Sequence, residues 1–274
     1  MRLIELPVPD ASALATSRAL VERICAELRA HGNWISFARY MELALYEPGL
    51  GYYAAGSAKL GAGGDFVTAP ELGPLFAQTL AVQVAELLEA TGGAILEIGA
   101  GSGALAQALL AELARAGAQP PRYLILETSA ELRDRQRRRI GGDATWIDCL
   151  PEHFSGVMLA SEVADAIPVH AVAWTGRGIM ERGVCENEGE LAWAERAAAE
   201  AILDAASAIE IHLPPSGRYQ SEIGLAAQAW TATLAERLHA GAILLIDYGF
   251  AQREYYHPQR SMGTLMCHYR HHAH

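Results

Sequence analysis

The chain has 274 residues, 51% of them hydrophobic, 19% charged and 7% aromatic, and its 32 acidic and 21 basic side chains leave a formal net charge of −11. Half-apolar composition with modest charge excludes an intrinsically disordered chain, and a chain of this length buries a core without disulfide or metal staples. The acidic balance argues against a general nucleic-acid binder, which must neutralise phosphates, and suits a cationic substrate.

Cys25, Cys149, Cys185 and Cys267 lie far apart without a CxxC pair and read as reduced thiols. The opening MRLIELPVPD lacks the basic start and apolar centre of a signal peptide. No apolar run approaches the ~20 residues of a membrane span. The expectation is a soluble cytoplasmic protein with no membrane insertion.

In chain order, residues 11–31 carry apolar positions at helical spacing, with Leu20, Ile24 and Leu28 on one stripe. Ser36 is placed to cap a second helix through Phe37, Met41 and Leu45, which ends at Glu47-Pro48-Gly49. Residues 49–74 are rich in Gly and Pro but hold Tyr52, Tyr53 and Phe66, which predicts an ordered binding loop rather than a linker. A helix over about 75–90 closes this helical N-terminal region, residues 1–90.

From residue 91 the pattern changes. Apolar runs at 94–99, 123–127, 145–147 and 156–161 alternate with helices over about 103–117 and 129–139. That alternation predicts an α/β fold with a parallel sheet covered on both faces. An insertion over about 171–220 begins as a β-meander turning at Thr175-Gly176 and Glu188-Gly189. A helix over about 222–239 leads to a last buried strand, 242–249. The arginines of 133–139 share a helix with Glu131 and Asp134 and read as a solvated face.

The sharpest local feature is Glu97-Ile98-Gly99-Ala100-Gly101-Ser102-Gly103, between a buried strand and a helix. Gly99, Gly101 and Gly103 let the backbone turn tightly and approach a ligand, and the helix start offers free N–H groups. Glycine spacing alone also fits a dinucleotide such as NAD. Glu97 repels a pyrophosphate at this place and attracts an ammonium group. Glu127 ends the second strand, where an acid accepts ribose hydroxyls. Together they favour S-adenosylmethionine (SAM), a nucleoside bearing an amino acid, and Asp148 after the third strand reads equally as reaching the adenine amino group or as a solvated loop acid.

Beyond these sites, FARYMELALYEPGLGYY (37–53), GDFVTAPELGPLF (64–76), LEIGAGSG (96–103), SEVADAIPVH (161–170), LLIDYG (244–249) and YYHPQRSMGTLMCHYRH (255–271) occur in order. With these stretches the sequence resembles the MidA family of SAM-dependent methyltransferases, whose mitochondrial members methylate an arginine of a respiratory complex I subunit during assembly. The resemblance implies a class I, Rossmann-like methyltransferase fold and a cofactor loop at Gly64-Asp65-Phe66-Val67-Thr68, with Asp65 and Thr68 against the cofactor. It implies a protein substrate presenting an arginine, a respiratory-complex subunit among the candidates. It also implies strands beyond the fifth, so residues 91–274 read as a methyltransferase domain about two strands short at the C-terminus.

Glu162 and Asp165 follow the apolar run ending at Ser161, on the carboxyl edge where open α/β sheets bind ligands. Paired carboxylates there can hold a guanidinium, localise its charge and accept a proton. The family usually has Asn-Glu where this chain has Ser161-Glu162, and often a basic residue where it has Ala171. The tail His257, His268, His271, His272 and His274 beside Cys267 carries no metal expectation. Two other functional readings stand beside arginine methylation: a non-catalytic assembly factor on the same fold, and a methyltransferase acting on a small molecule or another side chain.

Overall fold

The computed structural model describes residues 6–55, 65, 68–118 and 122–273. Helix α1 (Ala11–Ala30) starts at Asp10, whose carboxylate accepts the Ala13 amide at 2.8 Å. It packs Ile24 and Leu28 against Ile35 of strand β1 (Ile35–Ser36), Leu43 of α2 (Phe37–Tyr46) and Val184. The Ser36 hydroxyl accepts the Arg39 amide at 3.1 Å to start α2, filling an otherwise orphan donor of the first turn. The short helix α3 (Ala69–Leu72) and α4 (Pro74–Thr91) follow.

Strands β2 (Ala94–Ile98), β3 (Tyr123–Leu126), β4 (Thr145–Ile147) and β5 (Phe154–Ser161) alternate with α5 (Ala104–Arg115) and α6 (Ala130–Ile140). The inserted segment forms β6 (His170–Thr175), β7 (Gly178–Asn187), β8 (Glu190–Ala197), α7 (Glu200–Ser207) and β9 (Arg218–Ile223). Then come α8 (Leu225–Arg237), β10 (Leu238–Ile246), α9 (Gln252–Tyr255) and the small hairpin β11 (His268–Tyr269) and β12 (His272–Ala273).

The central sheet has the order β10-β5-β2-β3-β4 with every pairing parallel. This is the expected α/β architecture, and both faces are covered. Side chains alternate along β2: Ile95 joins Leu105, Leu109 and Val84 of α5 and α4, while Ala94, Leu96 and Ile98 pack with Leu234 of α8. Glu97 shares its face with Ile95, so the one carboxyl of this strand enters the α4/α5 side.

The second sheet is antiparallel, β1-β7-β6-β9, with β8 on the other edge of β7. It turns between β6 and β7 and between β7 and β8 at the two expected places. It also recruits β9 after a helix, and β1 from the N-terminal region pairs Ile35 with Val184. The expected bounds of α8 and β10 move at both ends. Helix α8 stops at Arg237, because Leu238 already pairs with Phe154 and an irregularity between Leu238 and Ala240 absorbs the change to strand. The strand leaves the sheet after Ile246, where the Asp247 carboxylate turns back to accept the Tyr248 amide at 2.8 Å. Among the described residues no strand pairs with the outer edge of β10, and no helix is long and apolar enough to cross a membrane.

Where β2, β5 and β10 begin their closest contact, Gly156 faces Ala94 on one side and Gly241 on the other. Its φ of 127° belongs to a region that side chains rarely adopt, and a Cβ would overlap the Ala94 carbonyl. Gly156→Ala is expected to destabilise the protein by about 2–4 kcal/mol, read as a lower midpoint in urea. A loss below about half a kcal/mol would mean that the strands open there without cost.

Candidate active site

The carboxyl ends of β2, β3 and β5 open into a cavity of about 340 Å³, within the range of small-molecule sites and at the edge where parallel sheets bind ligands. One wall is the turn from β2 into α5, with φ of 65°, 53° and 77° at Gly99, Gly101 and Gly103. At Gly99 a Cβ would also come within 2.9 Å of Val163 Cγ2, so this position excludes a side chain on two grounds. Gly99 and Gly101 line the cavity; Gly103 starts α5 and faces Ile140 and Gln136 of α6.

Two buried acids flank this turn. Glu97, 2% exposed, accepts the Tyr123 hydroxyl at 2.6 Å. Burial pushes its carboxyl up to about 7; the phenol pulls it down and the charge of Glu127 adds to the rise. Glu127, 6% exposed, accepts the Ser129 amide at 2.9 Å and the Gln136 amide at 3.1 Å. Burial raises its carboxyl, and those same bonds hold the rise back.

Gln136 is fully buried and was invisible to residue patterning: its amide also donates to the Gly101 carbonyl at 2.9 Å and accepts the Trp146 indole at 2.8 Å. The arginines of α6 are not merely a solvated face. Arg133 donates to the Glu127 carbonyl at 2.6 Å, the Ile147 carbonyl at 2.8 Å and Asp148 at 2.7 Å. Arg139 reaches the Ser102 hydroxyl at 3.1 Å. Asp148 is exposed, paired with Arg133 and outside the cavity lining.

Thr68 and Pro70 form part of the lip. Asp65 stands back from the cavity, accepting the Tyr52 hydroxyl and the Arg270 amide, both at 2.9 Å, while its carbonyl takes the His271 amide at 3.0 Å. Gly64, Phe66 and Val67 of the expected loop lie outside the described residues.

The mouth is acidic. Glu162 lines it with φ of 53°, its amide bonded to the Ile246 carbonyl at 2.8 Å and its carboxylate accepting the Ala69 amide at 3.2 Å. Burial raises its carboxyl, and Asp165 and Asp247 add to the rise. Asp165 lies outside the lining; desolvation raises it first, then Asp247, whose carboxylate also accepts the Asp165 amide at 3.0 Å. Tyr46 and Tyr53 stack at 5.7 Å between centroids beside these acids, and Tyr46 donates to the Ala166 carbonyl at 2.8 Å. Tyr46 and Trp230 complete the lining and had no sequence signal; Tyr53 had one, an aromatic residue inside a Gly-rich stretch. Among the described residues no group of three His, Cys, Asp or Glu is arranged to hold a metal ion.

The Glu97 carboxyl gives the free protein a pH signature. Its folded value is raised to about 7 from 4.5, so the unfolded chain ionises first and stability falls as pH rises between those values. Above that window the deficit stays constant, on the order of 3 kcal/mol. Glu97→Gln is therefore expected to melt above the wild type at pH 8 without ligand, with the difference gone near pH 4. Equal melting at both pH values would count against a strained carboxyl at this place.

Comparison with known proteins fits this geometry. The family model described as "Putative S-adenosyl-L-methionine-dependent methyltransferase" matches residues 79–274. The protein arginine methyltransferase NDUFAF7, mitochondrial, of Danio rerio is 29% identical over 277 aligned positions, covering 87% of this chain and 64% of that protein. The Drosophila melanogaster homolog is 27% identical, covering 88% of this chain and 63% of its own length. The chain thus spans just under two thirds of the length of these curated relatives. A Burkholderia thailandensis protein crystallised with S-adenosyl-homocysteine superposes with a TM-score of 0.92 at 47% identity, covering 98% of this chain and 72% of that one. On the family match over most of its length, the chain belongs to the S-adenosyl-L-methionine-dependent methyltransferases of the MidA-like family.

Proposed function

We propose that this chain binds SAM in the cavity and methylates an arginine of a protein substrate, a respiratory-complex subunit being the first to test. The observation that carries the reading is the pair of buried carboxylates, Glu97 and Glu127, on either side of a glycine turn.

The residues present fit the cofactor. Glu97 is bonded to a neutral phenol, and an incoming ammonium would supply the counter-charge that its burial lacks. Glu127 retains lone pairs beyond the two bonds it accepts, enough for a ribose hydroxyl. The Gly99–Gly101 backbone leaves room for close approach, and a pyrophosphate would meet the Glu97 charge. In this reading Thr68 contacts the cofactor and Asp65 fixes the lip that carries Thr68. Asp148 acts through Arg133 on the strand ends, at a distance from the adenine.

Bound SAM would supply an electrophilic methyl group on a sulfonium. The chain's part is to orient the nucleophile and remove its charge. Glu162 is placed to pair with the guanidinium, concentrate its positive charge away from the reacting nitrogen and take its proton. Asp165 and Asp247 deepen the negative potential that draws the cation in, and the Tyr46 and Tyr53 rings offer it aromatic faces. The raised Glu162 carboxyl is a stronger base than a solvated one. The curated relatives, named as protein arginine methyltransferases, support the choice of arginine.

Calorimetric titration with SAM tests the cofactor. Binding is expected in the micromolar range, weakened about 10- to 100-fold in Glu127→Ala by loss of a charged hydrogen-bond acceptor; an athermal wild type at high micromolar ligand would end the reading.

Methyl-label transfer into a lysate tests the chemistry. Glu162→Gln is expected to keep SAM affinity and lose about 100-fold or more in transfer rate. Only the carboxylate accepts the proton, so the wild-type rate rises with pH through the raised Glu162 value. Asp247→Asn removes a like charge, lowers that value and moves the rising limb to lower pH. A limb that stays in place would remove Glu162 from the role of base.

A further inference from the structure

Behind the floor of the cavity lies a hydroxyl whose purpose the reaction leaves open. Tyr123 lies on β3 beside β2, where Ile95 pairs with Tyr123 and Glu97 with Ile125. Tyr123 and Glu97 are therefore diagonal neighbours on one face of the sheet, within reach of a long side chain. The phenol donates to Glu97 Oε2 at 2.6 Å, at the short end of the O–H···O range. Tyr123 is 3% exposed and outside the cavity lining, whereas Glu97 lines it.

The rest of this face is apolar. Leu80, Ala81 and Val84 of α4 and Leu105 and Leu109 of α5 pack on it, and Val157 faces it from β5. The other charge that bears on Glu97 is Glu127 at the end of β3, which opposes ionisation. Glu162, from the end of β5, lines the same cavity. No cation of the protein faces Glu97 among the described residues. A buried phenol in such a layer costs stability unless its hydroxyl is bonded, and the acceptor it has is the acid at the cavity floor.

We propose that Tyr123 is a positioning residue for the amino-acid end of the cofactor: its phenol holds one Glu97 oxygen, presents the other to the cavity and eases the loss of the proton that cofactor binding expels from the site. The inference rests on SAM occupying the cavity. In the free protein burial keeps the Glu97 proton in place. The arriving ammonium makes the carboxylate the preferred form, the O–H bond of the acid breaks, and the proton leaves to solvent. Affinity for a ligand carrying the ammonium then rises with pH until Glu97 is already ionised. Without the phenol the carboxyl holds its proton to higher pH, and the rise is displaced with it.

The test is calorimetric titration of the whole chain with S-adenosyl-homocysteine across pH, in buffers of different ionisation heat. The control ligand is 5′-deoxy-5′-methylthioadenosine, which has the nucleoside and lacks the amino-acid end. For the wild type, S-adenosyl-homocysteine affinity is expected to rise about eightfold from pH 6 to pH 7.5 with proton release at the lower pH, and the control ligand to show neither effect. Tyr123→Phe, of the same shape, is expected to move the rise to higher pH; Glu97→Gln is expected to abolish both the rise and the proton release. A rise unmoved in Tyr123→Phe overturns the positioning role, and one that survives in Glu97→Gln overturns the coupling. Control-ligand binding with pH-independent S-adenosyl-homocysteine binding also overturns the coupling while leaving the cofactor reading intact. A wild type that takes up neither ligand at any pH defeats the cofactor reading and the inference together.

Discussion

One buried amide holds the site together. The Gln136 side chain, on α6, meets the glycine turn after β2, the acid after β3 and the indole of β4. Three strand ends are thus fixed by a single group with its donor and acceptor sides both used. Buried amides of this kind are costly when partly satisfied and rigidifying when fully satisfied. Arg133 repeats the pattern one turn away, tying the Glu127 and Ile147 carbonyls to Asp148. Helix α6 therefore works as a clasp over the carboxyl edge of the sheet, and the geometry of Glu127 depends on it.

The acidic composition acquires a distribution. Glu97 and Glu127 sit deep on one side of the cavity, and Glu162, Asp165 and Asp247 gather at its mouth. Much of the remaining acid is neutralised locally. Glu181 is buried between His170 and Arg196, at 3.2 and 3.1 Å; burial alone would raise its carboxyl, and those two partners hold it below the usual range. Glu27 bonds Arg23 at 2.8 Å and Arg39 at 3.0 Å, which lower it. The cavity acids Glu97, Glu162, Asp165 and Asp247 form no salt bridge among the described residues, and neighbouring carboxylates add to the rise of the first three, which suits a site that receives positive charge from outside.

Local, periodic features were legible in the sequence. The strand runs from Ala94 and Tyr123, the cap at Ser36, the stop at Glu47 and the glycine turn all follow from short-range chemistry, and the structure places them within a residue or two. Glu97, Glu127 and Glu162 stood out because an acid at the end of an apolar run is a local anomaly. Features assembled from distant parts were not legible. Tyr46 comes to the cavity from an N-terminal helix and Trp230 from a helix after the insertion, and each alone reads as ordinary amphipathic patterning. Gln136 was hidden among arginines, and Arg133 and Arg139 looked solvated because a charge run carries no mark of which members find partners. The insertion shows the same limit: β9 lies beyond a helix and a Pro-rich turn, and only its pairing of Val172 with Ser221 reveals that it belongs to the meander.

The lip of the cavity has a consequence for how the molecule is made. Asp65 is held by the backbone of Arg270 across a separation of 205 residues, and the segment before that contact is pinned to β9 by Glu222, which accepts both the amide and the hydroxyl of Thr264 at 3.0 Å. Contacts of such length close large loops and raise the contact order, which slows folding. Synthesis proceeds from the N-terminus, so the core around β2 and β3 is available to pack long before the partner of Asp65 exists. The lip of the site is thus among the last parts of the chain to be set.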